Sequence, residues 1–181
     1  MKTKHFIVRS ILFITVSLSQ SIIRGPYLQI GTPNSIVVRW RTDTNTDSRI
    51  RYGIDSLSLD QWVDSLSLTA EHEVILTDLV PDTQYYYSVE TTTEVLSYGP
   101  DHYFLTAPPV GTKKKSRIWI LGDSGTADAN AKSVKEAYYH FTDSTHTDLW
   151  VMLGDNAYVD GTDLEYQAAV FDMYPDMLKK S

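Results

Sequence analysis

Two different periods of hydrophobic and polar residues divide this chain. Residues 24 to about 107 alternate in short runs separated by turn signals. Ser35 to Arg41 places Ile36, Val38 and Trp40 on one face, and Arg49 to Gly53 alternates in the same way. Glu71 to Leu76, Tyr85 to Glu90 and His102 to Thr106 continue the pattern. A period of two marks a strand with one face in a core. Several short strands at this spacing predict an antiparallel β-sandwich.

Residues 108–116 break the pattern with two prolines, a glycine and three lysines, and read as a solvated linker. Beyond them the period changes. Ile118 to Leu121 is mostly apolar, which predicts a strand covered on both faces. Ala131, Val134, Tyr138 and Phe141 recur at helical spacing between Ala127 and Phe141. Asp148 to Leu153 reads as a second buried strand. Thr162 to Glu165 has the form of a capping box, opening a helix with Leu164, Ala168 and Phe171 on one face. Pro175 is expected to end or kink it. The fold class is therefore multidomain, β followed by α/β. Two parallel strands do not bury both faces of a sheet. The expectation is a fragment, a truncated gene product, or a sheet completed from elsewhere.

Composition narrows the function. The net charge of −7 argues against a nucleic-acid-binding surface. The chain has no cysteine, which excludes a disulfide scaffold, a thiolate metal site and a cysteine nucleophile. Lys2, Lys4 and Arg9 precede an apolar run from Ile11 to Leu18, too short to span a bilayer comfortably, and Ser17 and Ser19 offer a small-x-small cleavage site. Residues 1–19 thus read as a signal peptide, and the protein as secreted or extracytoplasmic, with no membrane contact after cleavage.

The candidate chemistry lies at two strand ends. Ile118 to Leu121 runs into Gly122-Asp123-Ser124-Gly125, and Leu149 to Leu153 into Gly154-Asp155-Asn156-Ala157-Tyr158. The aspartates are 32 positions apart, about one β-α-β unit. Such a unit brings both carboxylates to the carboxyl edge of a parallel sheet, where open α/β sheets bind ligands. Two anionic oxygen donors there invite a cation. Gly122, Gly125 and Gly154 would let the backbone turn sharply off each strand. The plainer alternatives are turn or capping roles for the aspartates and a packed ring for Tyr158. His140 and His146 flank a helix end and read as surface or helix-terminal residues. Gly122-Asp123-Ser124 also has the form of the first block of G-D-S-type esterases, with Ser124 as nucleophile. The matching base motif, Asp143-Ser144-Thr145-His146, comes before the second strand, in the wrong order.

Asp123-Ser124-Gly125 and Gly154 to Tyr158 resemble the D-x-G and G-D-x-x-Y blocks of purple acid phosphatases, within the metallophosphoesterases. Leu79 to Tyr85 resembles the tyrosine corner of fibronectin type III domains, with Leu79 plugging the core, Pro81 stiffening the turn and the Tyr85 hydroxyl bonding back to backbone. A fibronectin type III-like domain at residues 24–107, followed by the opening of a metallophosphoesterase domain at 117–181, is similar to the layout of that family. The resemblance implies a phosphate monoester substrate and a dinuclear metal centre, Fe(III) with Fe, Zn or Mn. It implies that Asp123 ligates the ferric ion, Asp155 bridges the metals, and Tyr158 supplies a phenolate, the source of the purple colour. Carboxylate and phenolate are hard donors suited to a hard trivalent ion. The family's G-N-H-E/D, V-x-x-H and G-H-x-H blocks are absent, and with them the second metal's ligands and the proton donor to the leaving group. No catalytic set is complete, so this chain alone is expected to hold metal poorly and not to turn over phosphate monoesters. The competing expectation is a non-catalytic β-sandwich binding module carrying a relic phosphoesterase segment.

Overall fold

The computed structural model describes residues 20–143 and 145–181. The signal peptide expected over residues 1–19 lies outside the described residues. Six strands build the first unit: β1 (Ile22–Gln29), β2 (Ile36–Gly53), β3 (Gln61–Leu76), β4 (Gln84–Glu90), β5 (Val95–Ser97) and β6 (Tyr103–Leu105). Antiparallel pairing joins β1 to β2, β2 to β3 and β4, and β4 to β5 and β6. The alternating apolar positions meet as expected. Val38, Trp40, Ile50, Leu76, Tyr87, Val89 and Phe104 form the buried core. The tyrosine corner is also present: Leu79 is buried, and the Val80 N–H donates to the Tyr85 hydroxyl at 3.0 Å.

The polar stretch between Arg41 and Ser48 departs from the sequence reading. It separates two expected strands, yet β2 runs straight through it, with register shifts from Arg41 to Thr46 to Ser48 opposite β3. A bulge of this kind bends a strand without ending it. The polarity is accommodated because His72 reaches in from β3. Its Nε2 pairs with Thr42 Oγ1 and its Nδ1 with Ser48 Oγ, each at 2.8 Å, and its ring stacks on Trp40 at 4.6 Å.

This buried imidazole makes the sandwich sensitive to acid. Burial lowers the pKa of His72, and likewise of His102 and His146, from the usual histidine value. A depressed histidine pKa means that the unfolded chain binds protons more readily. The stability from these neutral rings is full above the unfolded pKa of about 6.5 and is lost as pH falls toward their folded values. Thermal melts between pH 7.5 and 5 are expected to show a falling midpoint, with a shallower fall in His72→Gln. A flat midpoint across that window would contradict the assignment.

The second unit has two parallel strands, β7 (Ile118–Leu121) and β8 (Leu149–Met152), joined by α1 (Ala129–Thr142). Asp128 caps α1 by accepting from the Asn130 and Ala131 N–H groups, and Asp143 closes it in a left-handed conformation. Trp119, Leu121 and Trp150 face Tyr138 and Tyr139 of α1, with Tyr174 and Met177 on the same side. Trp119 stacks on Tyr138 at 3.9 Å. The other face, with Ile118, Ile120 and Leu149, is about half exposed. The expectation of strands covered on both faces is therefore corrected: the helical segments pack on one side only.

The helix faces also differ from the apolar stripe. Ala131 and Tyr138 turn inward, whereas Val134 is half exposed and Phe141 is 85% exposed. The Trp119–Tyr138 stack sets the rotation of α1, and apolar spacing alone does not. Thr162 and Glu165 form the expected capping box, opening α2 (Asp163–Tyr166). A π-turn follows directly over Gln167–Phe171. Its wider turn shifts the inward face to Ala169 and Val170, which are buried, whereas Ala168 in the same turn and Leu164 in α2 are exposed. Pro175 opens α3 (Pro175–Leu178) from its first turn, where a missing N–H costs nothing.

Candidate metal centre

The loops that leave β7 and β8 stay bound to each other beyond the sheet. Leu153 N donates to Leu121 O at 2.9 Å, and Asp123 N to Gly154 O at 3.2 Å. Gly125 N then donates to Asp155 O at 2.9 Å, and Tyr158 N to Gly125 O at 3.0 Å. This lacing leaves no room for a side chain at position 125. A Cβ there would lie 2.4 Å from Ala157 N and 2.6 Å from Asp155 O. The sharp turns fall on the aspartates themselves, with φ of 55° at Asp123 and 54° at Asp155, and on Gly154. Aspartate tolerates this left-handed region better than most residues. The turning role expected of Gly122 belongs to its neighbour, and Gly125 is required for close approach.

Asp123, Asp155 and Tyr158 converge as a result. The Tyr158 hydroxyl hydrogen-bonds Asp123 Oδ1 and also Asp155 Oδ2, the latter at 2.6 Å. The carboxylates of Asp123 and Asp155, accepting from and repelling the phenol oxygen, hold its pKa above the ordinary tyrosine value. The phenol oxygen thus lies within hydrogen-bond reach of both carboxylates. A cluster of three oxygens with so little positive charge is chemically suited to a cation.

Residues 23–107 match the family model described as the purple acid phosphatase N-terminal domain. Over those residues the first unit is similar to that N-terminal domain. Purple acid phosphatase PPD1 from yellow lupin (Lupinus luteus) seeds has the same fold over 87% of this chain and 34% of its own, with a TM-score of 0.65 and 14% identity. The structure of PhoD matches over 76% of this chain and 28% of its own, with a TM-score of 0.54 and 18% identity. The fn3 domain of human contactin 1 aligns over 59% of this chain and 95% of its own, with a TM-score of 0.37 and 19% identity. This chain therefore spans about a third of the two longer solved structures. No curated protein matches it.

The purple acid phosphatase family implies a dinuclear metal centre in general. Two carboxylates and a phenol fit one hard cation by donor chemistry. They do not complete a pair of sites: among the described residues no group of three or more His, Cys, Asp and Glu side chains could hold a metal. His140 is exposed on the last turn of α1. His146 is half-buried against Tyr103, with ring centroids 5.7 Å apart, rather than at the surface. It precedes β8, at the opposite edge of the sheet from Asp155.

That placement also bears on Ser124. Its hydroxyl is buried with no hydrogen-bond partner, and His146 stands across the sheet from it. A nucleophilic serine needs a base within hydrogen-bond reach, and Ser124 has none among the described residues. Glu165 is the residue near the site that sequence reading underused. The capping box identified it as a helix start, but it also binds the loop that follows Tyr158.

Proposed function

We propose that this chain supplies the ferric-ion half of a metal-dependent phosphatase that hydrolyses phosphate monoesters. The observation that carries the reading is the shared contact of the Tyr158 hydroxyl with Asp123 and Asp155 at the carboxyl edge of the β7–β8 pair. Asp123 would ligate the ferric ion, Asp155 would bridge toward a second metal (Fe, Zn or Mn), and Tyr158 would give a phenolate. A dinuclear centre supplies electrophilic charge for in-line displacement at phosphorus and acidifies water for use as the nucleophile. The chain's own contribution is to orient three oxygens and to release the Tyr158 proton. The left-handed turns at Asp123 and Asp155 support that role, because they aim both carboxylates at one point. The basic, apolar and small-residue order of residues 1–19 supports export from the cytoplasm.

Displacing the phenolic proton ties uptake to pH. Ferric affinity is expected to weaken by about tenfold for each unit the pH falls, if one proton is released. The test is a titration with ferric citrate, followed by visible absorbance, with p-nitrophenyl phosphate turnover assayed in parallel. A tyrosinate-to-iron band that disappears in Tyr158→Phe is expected, without turnover by this chain alone. A band that persists in Tyr158→Phe, or no ferric uptake, overturns the ligand assignment. Robust, chelator-sensitive turnover at one metal pair per chain overturns the expectation of inactivity.

A further inference from the structure

The loop that follows Tyr158 is held by one carboxylate. Glu165 Oε1 accepts from Val159 N at 2.5 Å, and Oε2 accepts from Asp160 N at 3.2 Å and Thr162 N at 2.8 Å. Capping α2 requires only the reciprocal pair with Thr162. The bonds to Val159 and Asp160 exceed what a helix cap needs, and they fix the two residues that follow Tyr158 in the chain. The backbone N–H of Thr162 and its neighbours hold the Glu165 carboxyl below its usual range, so it accepts as an anion.

Two positions earlier in the same turn, Asp163 is held by the sandwich. Arg24 Nη1 lies 2.8 Å from Asp163 Oδ1, and Arg41 Nη1 lies 2.7 Å from Asp163 Oδ2. Arg24 also donates to Gln167 Oε1 at 2.6 Å, and its guanidinium sits 4.3 Å from the Phe171 ring centroid. Arg24 and Arg41 are direct cross-strand partners on β1 and β2. Like charges placed opposite each other in a sheet are destabilising. Arg24 is nevertheless buried, which is tolerable because an anion joins the pair. Arg41 and then Arg24 hold the Asp163 carboxyl well below the usual carboxylate range.

We propose that Glu165 is a positioning residue for Tyr158, and that the β-sandwich sets its place by gripping Asp163 with Arg24 and Arg41. This rests on the reading of Tyr158 as a ferric ligand. The sandwich then serves the metal loop as a fixed frame. Force passes from β1 and β2 to the first turn of α2, and from there through one carboxylate to the backbone after Tyr158. None of these four side chains touches the metal ligands' oxygens.

The test compares the full chain with Glu165→Gln, Asp163→Asn and the double variant Arg24→Met/Arg41→Met. Asp163→Asn changes an exposed helix end and keeps the proposal testable if the double variant unfolds. Amide hydrogen exchange at Val159, Asp160 and Thr162 is read without metal. Ferric affinity is read by the visible band. Glu165→Gln is expected to speed exchange at those amides at least tenfold and to weaken ferric affinity by about 10- to 100-fold, as for other groups that orient a ligand. Asp163→Asn is expected to do the same at the same amides, although it bonds none of them. Exchange at those amides unchanged in Asp163→Asn overturns the role of the sandwich, and unchanged in Glu165→Gln overturns the proposal entirely. Faster exchange in the variants, together with no ferric uptake by the unaltered chain, retains the coupling and overturns only the ferric reading.

Discussion

Gly125→Ala is expected to abolish ferric binding while leaving the β-sandwich folded. The added methyl would lie 2.4 Å from Ala157 N and 2.6 Å from Asp155 O, both backbone atoms, so no flexible side chain can move aside. The loops after β7 and β8 must separate. The bonds from Gly125 N to Asp155 O and from Tyr158 N to Gly125 O are the first to be lost. Those bonds bring the Tyr158 hydroxyl to the two carboxylates. A displacement of about 1 Å at a reacting constellation typically costs about a hundredfold, and a comparable loss of ferric affinity is the expected minimum. The stability cost should be the overpacking cost of about 1–3 kcal/mol, confined to the second unit. Ferric titration beside a circular dichroism melt measures both effects. Ferric affinity within threefold of the unaltered chain would show that the loops need not approach this closely.

The sandwich was legible because its evidence repeats. The strands expected over 35–41, 49–53, 71–76, 85–90 and 102–106 alternate, and Ile36, Val38 and Trp40 are buried where alternation puts them, whereas β1 and the short β5 went unread. The stretch from Thr42 to Ser48 was not legible. Its polarity reads as a loop, and partners that come from other strands and loops, His72 for Thr42 and Ser48 and Thr92 for Asp47, satisfy it inside. In the second unit the elements could be read but their faces could not. Periodicity reports which residues are apolar, not which side meets a partner. Phe141 and Leu164 belong to apolar stripes yet are 85% and 81% exposed: a ring stack fixes the rotation of α1, and in the π-turn after α2 it is Ala169 and Val170 that are buried, off the stripe of Leu164 and Ala168. Nothing in the sequence signals either event.

The candidate centre divides in the same way. Asp123, Asp155 and Tyr158 were found from strand ends and spacing, and the structure brings their oxygens together. The left-handed turns at the two aspartates were assigned instead to neighbouring glycines, since glycine is the residue that signals such turns in a sequence. The second function of Glu165 was hidden for another reason. A capping box explains the residue sufficiently, so nothing prompts a search for further donors. Its contacts with Val159 and Asp160 depend on how the loop doubles back, which is a tertiary fact.

Trp40→Ala should produce the largest loss of stability in the chain. Trp40 is 1% exposed, sits in the centre of the sandwich core and stacks on His72. Its indole N–H has no hydrogen-bond partner, so the substitution forfeits no polar contact and reports burial and cavity formation directly. Removing a buried aromatic side chain typically costs about 3–5 kcal/mol. Natural domains are stable by only about 5–15 kcal/mol in total. The loss is therefore a large part of the whole, and it extends further. His72 would lose the ring it stacks on, and its bonds to Thr42 and Ser48 would open to water. Arg41, the next residue along β2, holds Asp163, so a loosened strand should also loosen the first turn of α2. Chemical denaturation is expected to show a lower midpoint at an unchanged slope, the two together giving a loss of about 3–5 kcal/mol. Exchange at Val159 and Asp160 should quicken in the same variant, well below the denaturation midpoint. A cost under about 1 kcal/mol would mean that the core closes around the missing ring, and that the Trp40–His72 stack does not organise the sandwich.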